Sequence, residues 1–260
     1  MLDYPQLGTG ALSQFPIRKQ RHTRTVINLA ADGRTIRLAD PAGATTTWQL
    51  EYAELTDSEA GAIEAFFTAV EGTLNGFTFL DPVGKLLAWS GQLDQAAWAR
   101  GPMLSLAGGE ADPADGALAW RLANTGAGPQ TITQTLASPG DYVYCFSVFA
   151  RAQANTSVTA LLGQGRKTQS VTAGWNRIAF TGTGAAGAES VEFGLEVPAG
   201  ATVDVYGPQA EPQAGASVYR ASTLGGVYPD ARLRDDELAI TSTGVNRHSC
   251  TVNIIHVNHL

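Results

Sequence analysis

Glu237–Val257 reads ELAITSTGVNRHSCTVNIIHV, and this stretch decides how the chain is organised. Glu237 to Thr243 and His248 to Val257 are predicted strands, joined by Gly244-Val245-Asn246-Arg247. A lone hairpin is marginal in water, so the pair has to join a sheet built elsewhere in the chain.

The N-terminal third offers such a sheet. Thr25-Val26-Ile27-Asn28-Leu29 and Arg34 to Leu38 flank Asp32-Gly33, a hairpin signal because glycine tolerates the positive φ of primed turns. Pro41-Ala42-Gly43 is predicted to turn the chain into a further strand, Thr45 to Leu55, where Trp48, Leu50 and Tyr52 alternate with polar neighbours. Thr56 and Glu59 then form a capping box, and Ile63, Phe66, Phe67 and Val70 recur at helical spacing until Gly72. Phe77-Thr78-Phe79-Leu80 is a short strand, closed by Asp81-Pro82-Val83-Gly84. This β-β-β-α-β unit holds only about four strands and wants more. Its expected core is Trp48, Tyr52, Ile63, Phe66, Phe67, Phe77 and Phe79.

From about Trp89 to Val218 helical periodicity disappears. Gln130–Leu136, Tyr142–Arg151, Val158–Leu162, Thr168–Val171, Trp175–Thr181, Val191–Val197 and Val203–Tyr206 read as short strands punctuated by Gly, Pro and Asn. That spacing suggests a two-sheet sandwich, with Phe146, Val148 and Ala150 on the buried face and Ser147, Phe149 and Arg151 on the other. Such a sandwich accounts for its own strands, so the C-terminal pair returns to the first sheet. The expected fold is mainly β: a small β-barrel or sheet domain with one α-helix (residues 1–84 with 220–260), carrying an inserted jelly-roll β-sandwich (residues 85–219).

Composition narrows the function. The 260 residues are 44% hydrophobic and only 16% charged, with 29 Gly and 12 Pro, which suits many strands and tight turns. A net charge of −7 and a pI near 5.0 argue against nucleic-acid binding, whose footprint is a basic surface. The one basic run, Arg18, Lys19, Arg21, His22 and Arg24, reads as a solvated or interface strand. Cys145 and Cys250 fall in different domains, so no disulfide is expected, and Cys145 reads as a packed thiol. Met1-Leu2-Asp3-Tyr4-Pro5 lacks the apolar run of a signal peptide, and no stretch approaches the roughly 20 apolar residues that span a bilayer. The expectation is synthesis in the cytoplasm, delivery to any external site by assembly, and no membrane insertion.

Catalytic signatures are missing. No phosphate-binding glycine loop, CxxC, HExxH or GxSxG occurs. His256 and His259, three apart on a predicted strand, point to opposite faces and make a poor metal pair. Asp112 and Asp115 lie in one turn and Asp235-Asp236-Glu237 in another, where Asp side chains bond their own backbone; no carboxylate stands alone within an otherwise apolar strand. The chain is therefore expected to be no enzyme, with no cofactor and no metal site, although turns of a sandwich could take calcium. Trp89, Trp98, Trp120 and Trp175 are core candidates first, with Trp98 and Trp175 as possible stacking surfaces for a sugar ring.

Two stretches also carry a family resemblance. Trp48 to Thr56, the Phe66-Phe67 helix and Gly76-Phe77-Thr78-Phe79-Leu80-Asp81-Pro82 resemble the N-terminal domain of phage distal and minor tail proteins. Tyr228-Pro229-Asp230 and Asn246 to Val252 are similar to the closing strands of such chains. Leu93 to Trp98, Asp115-Gly116 and Phe146-Ser147-Val148-Phe149-Ala150-Arg151-Ala152 are similar to carbohydrate-binding-type jelly rolls of phage tail proteins, with Phe149 in place of the usual Tyr. The first resemblance implies a virion tail-tip component that forms a six-fold ring with itself. Its implied partners are the tail tube protein, the baseplate hub and the tape-measure protein. The second implies an outward module that takes a host surface glycan.

Overall fold

In the computed structural model, which describes residues 2–258, the chain forms strands and one helix in this order: β1 (Ile17–Leu29), β2 (Thr35–Leu55), α1 (Asp57–Val70), β3 (Phe77–Leu80), β4 (Ala99–Arg100), β5 (Leu104–Glu110), β6 (Ala119–Asn124), β7 (Gln130–Leu136), β8 (Val143–Arg151), β9 (Thr156–Leu162), β10 (Gly165–Val171), β11 (Asn176–Thr183), β12 (Val191–Val197), β13 (Thr202–Glu211), β14 (Val227–Leu233), β15 (Ile240–Gly244) and β16 (Arg247–Val257). The chain divides into two compact units. The first comprises residues up to Leu7, Ser13–Phe79 and the chain from Tyr228 on; the second comprises Gly8–Leu12 and Leu80–Val227. The sequence reading divides the chain at Gly84 and 220 and keeps residues 8–12 with the first domain.

The first unit is one open sheet in the order β1-β2-β16-β14-β3, with β15 paired to β16. It does not close, so the barrel alternative is set aside in favour of the sheet. The C-terminal β16 lies between β2 and β14, in register from Leu50 opposite Val252 to Thr45 opposite Val257. One face is apolar. Trp48, Leu50, Tyr52, Val252 and Ile254 are buried there against Phe77 and Phe79. Tyr4, which the sequence reading left out, joins this core: its ring lies 5.2 Å from Phe66 and 5.7 Å from Phe79, and its hydroxyl lies 2.8 Å from that of Tyr52. Thr56 caps α1 with its capping box complete, and Glu71 ends it in the left-handed region just before Gly72. The helix buries Ala60, Ile63, Phe66 and Val70, while Phe67 is only half-buried on the shoulder of the stripe.

Pro41-Ala42-Gly43 does not turn the chain. It lies inside the long β2, where four β2 residues face one β1 residue between the pairs His22–Thr45 and Arg24–Asp40. An irregularity of this kind tolerates a proline with no N–H to give, and Gly43 leaves room for Arg24, whose Cβ lies 2.9 Å from where a Gly43 Cβ would stand.

The second unit is a sandwich of two antiparallel five-stranded sheets, β10-β9-β12-β7-β4 and β11-β8-β13-β6-β5. Phe146, Val148, Ala150, Phe193, Leu195, Val203 and Val205 fill the space between them. Strands β5 and β6 were not expected, since Leu104–Glu110 (LSLAGGE) has too few large apolar residues to show its alternation.

Candidate functional site

Alternation along β13 puts Val203 and Val205 inside the sandwich, so Asp204 emerges on the outer face of its sheet. Strand order does the rest. Because β13 runs between β6 and β8, register sets Arg121 and Arg151 directly opposite Asp204 on its two sides. The Asp204 carboxylate accepts hydrogen bonds from Arg121 Nε (2.8 Å) and Nη2 (3.2 Å) and from Arg151 Nε (3.1 Å). Arg121 Nη2 also reaches Glu110 Oε2 at 2.8 Å, and the bonds to Asp204 raise the Arg121 pKa further. The Arg151 guanidinium lies 4.7 Å from the centre of the Trp175 ring. Two cations and two anions therefore form one row across the sheet, charge-balanced and fixed in place. Asp204 is the lone carboxylate in an apolar strand that the sequence reading had not found. Its alternation with Val203 and Val205 was the available signal.

Beside this row lies an open cleft of about 540 Å³ at one end of the sandwich. Its walls are the β8–β9 connection (Gln153, Asn155, Thr156) and the β12–β13 turn (Gly200, Thr202), with Arg121 and Asp204 at its base. Amide, hydroxyl and paired charged groups line it, able both to donate and to accept hydrogen bonds. None of Gln153, Asn155 or Thr202 stood out in the sequence, because exposed loop and strand-end positions carry no periodicity.

The rest of the same sheet face is closed by the chain itself. Residues 212–222 cross it as a strap. Arg177 Nη2 donates to the Ser217 carbonyl (2.6 Å) and to Ser147 Oγ (2.9 Å), and Thr181 Oγ1 donates to the Ala214 carbonyl (2.7 Å). Tyr219 packs edge-on against Tyr206 at 5.1 Å, and Tyr206 lies 6.0 Å from Phe149. Lys85 Nζ anchors the strap through Glu211 Oε1 (2.6 Å), which also accepts from Ser217 Oγ (2.6 Å). Burial alone would push the Glu211 carboxyl up, but its bonds from Lys85 and Ser217 hold it below its ordinary value.

The aromatic candidates separate. Trp98 is buried, its indole N–H donates to the Trp89 carbonyl at 3.1 Å, and its ring borders the interior with Ile132, Phe146 and Val148, so it has no face for a sugar. A loop does hold it, but the loop folds inward. Trp175 is half-buried beside Arg151. Trp120 is half-buried and donates to the Gly91 carbonyl at 3.0 Å. Asp112 spends its carboxylate on the backbone N–H groups of Ala114, Gly116 and Leu118, within a turn. No group of three or more His, Cys, Asp or Glu gathers as a metal set among the described residues. His256 packs on Tyr228 at 5.1 Å, and His259 lies outside the described residues.

No protein-family model matches this sequence. Nor does any curated protein. Solved structures do show similarity. A structure described as "CBM4 structure and function" is 18% identical, covering 45% of this chain and 86% of its own, with a TM-score of 0.35. The C-terminal family 22 carbohydrate-binding module of Clostridium thermocellum Xyn10B is 13% identical over 54% of this chain and 99% of its own, with a TM-score of 0.39. The enzymatically active domain of bacteriophage CBA120 tailspike protein 4 is 16% identical over 50% of this chain and 21% of its own, with a TM-score of 0.38. TM-scores this low decide nothing about this chain's ligand. One of the three belongs to a phage; none is a distal tail protein.

Proposed function

We propose that this chain is a non-catalytic binding protein whose sandwich takes a neutral carbohydrate in the cleft at residues 152–156 and 199–204, with the first unit serving as its assembly platform. The observation that carries this reading is the lining of the cleft: exposed amides, hydroxyls and a fixed guanidinium–carboxylate pair, set among four alanines around an open end of the sandwich. Sugar hydroxyls need paired donors and acceptors held in place, and the arginine–carboxylate row leaves no uncompensated charge to favour an ionic ligand. Trp175 stacks on Arg151 and does not line the cleft, so the site rests on its polar groups rather than on a stacking ring. Titration of the full chain against neutral oligosaccharides tests it, with Gln153→Ala and Asn155→Ala each expected to weaken binding about tenfold, the effect of one lost polar anchor. Absence of any binding at millimolar glycan, or binding untouched by both substitutions, counts against the site.

A second reading has its own support. The β1–β2 hairpin runs beyond the sheet and leaves Val26, Ile27, Leu29, Ile36 and Leu38 exposed, apolar surface that an assembly would cover. This favours a tail-tip role: a ring of copies, six in the resembling family, at a virion tail tip beside tube, hub and tape-measure proteins. Negative-stain images of the purified protein should then show closed rings.

A further inference from the structure

The hairpin arm is unusual in three respects. From the pair Arg24–Asp40 to Leu29–Thr35 it has no sheet neighbour among the described residues, a two-stranded ribbon roughly 20 Å long at about 3.3 Å per residue. Cross-strand register puts Val26, Ile36 and Leu38 on one face and Ile27 and Leu29 on the other, so no single covering layer within the chain could shield it. It is also basic. Residues 24–40 hold Arg24, Arg34 and Arg37 against Asp32 and Asp40; Arg24 pairs with Asp40 and Arg34 with Asp32, so Arg37 supplies the arm's net positive charge, and Arg18, Lys19 and Arg21 continue the basic run at its base, in a chain whose net charge is −7.

The same unit carries a surface of opposite character. On the outer face of its sheet an open cleft of about 620 Å³ is walled by β2, β16, β15 and residues 14–16, with Tyr52 and Cys250 also in its lining. Glu51, Asp235 and Glu237 line it together with Phe15, Pro16 and Ala239, and no Lys, Arg or His does. Asp235 is oriented by Asn253 Nδ2 at 2.8 Å. A narrow acidic trough with apolar patches has the charge and the chemistry to hold a narrow basic ribbon with apolar faces.

The geometry points to a head-to-tail contact in which the arm of one copy, through Arg37 and the apolar residues around it, docks into the Glu51–Asp235–Glu237 cleft of a second copy. A surface that pairs with a different surface on its twin repeats from copy to copy, and it closes into a ring when the rotation allows. This inference rests on the self-assembly reading above and names the surfaces that make it.

Sedimentation velocity of the full chain over a wide concentration range tests both. The wild type should self-associate, and more weakly in 0.5 M than in 0.05 M sodium chloride, since salt screens the pairing, roughly 10 Å Debye length at 0.1 M falling to about 4 Å. Arg37→Glu and Glu237→Arg, both at exposed positions, should each weaken association about tenfold, and the combination should recover most of the loss because the charges are exchanged. Ile27→Ser, which leaves charge unchanged, should weaken association at both salt concentrations. A wild type that stays monomeric throughout overturns this contact and the ring reading together. Association indifferent to all three substitutions overturns the contact and leaves the ring reading standing. Single losses without recovery in the combination overturn the pairing of this arm with this cleft.

Discussion

Replacing Lys85 by Met isolates the anchor of the strap. The side chains of Lys85 and Glu211 are only 10% and 5% exposed, with Nζ and Oε1 2.6 Å apart. Removing one partner of a buried pair strands the other charge, at a cost of about 3–5 kcal/mol. Glu211 would keep Ser217 Oγ at 2.6 Å, Ser217 N at 2.9 Å and Gln209 Nε2 at 2.5 Å, which argues for the lower end, about 3 kcal/mol. For a unit of this size that corresponds to a drop in melting temperature of roughly 6–12 °C. Calorimetry at pH 7 measures it, and Glu211→Gln added to Lys85→Met should restore part of the loss. Acid supplies the second check. Burial raises the Glu211 pKa, but the Lys85 and Ser217 bonds outweigh it and leave the carboxyl below its ordinary 4.5. A depressed carboxyl contributes stability that is present above its unfolded value and is lost as pH falls through the folded one. The gap between wild type and Lys85→Met should therefore be full at pH 7 and narrow as pH falls below 4.5. A loss at pH 7 smaller than about 1 kcal/mol, the range of a surface pair, would refute the reasoning.

Phe66 and Phe67 stand next to each other in the helix but differ in burial. Phe66→Ala should cost about 3–4 kcal/mol and Phe67→Ala about 1 kcal/mol in urea unfolding; equal losses would contradict the helix orientation. Burial pushes the Cys250 thiol up to about 11 and raises Cys145 as well. Because the thiolate is the reactive form, a disulfide reagent at pH 8 should label both cysteines in denaturant and neither in the native protein.

The legible parts of this fold were those written in local periodicity. The capping box at Thr56 and Glu59, the alternation of Trp48, Leu50 and Tyr52, and the alternation within β8 each report a pattern that neighbours in sequence impose. Asp230, at φ 56° just after Pro229, interrupts the periodicity of β14, which is therefore not among the strands read from alternation, and Pro41 disguised a bulged strand as a turn. Both residues are breakers in isolation, yet each occupies an irregular position that the sheet accommodates. The charged row of the cleft was illegible for a different reason. Arg121 and Arg151 lie 83 and 53 residues from Asp204, and only the order β8-β13-β6 makes them neighbours. Trp98 takes the core place that was its first reading, and only the inward course of its loop decides between that and a stacking surface.

The topology also explains how a sheet can be interrupted by an entire second unit. β3 and β14, the strands at which the chain leaves and returns, are adjacent in the first sheet. Inside the second unit, the Asp81 N–H donates to the Gly226 carbonyl at 2.8 Å, and the Gly226 N–H donates to the Leu86 carbonyl at 3.3 Å. Once folded, the second unit therefore presents its two ends hydrogen-bonded side by side, and the excursion from 81 to 226 behaves toward the first sheet like a short turn. An unfolded excursion of that length would instead charge the β2–β16 pairing a closure entropy on the order of a few kcal/mol, since that cost grows only with the logarithm of length. The central strand of the first sheet, β16, is contributed by the segment that follows the excursion. Folding of the second unit thus shortens the loop that the β2–β16 pairing has to close.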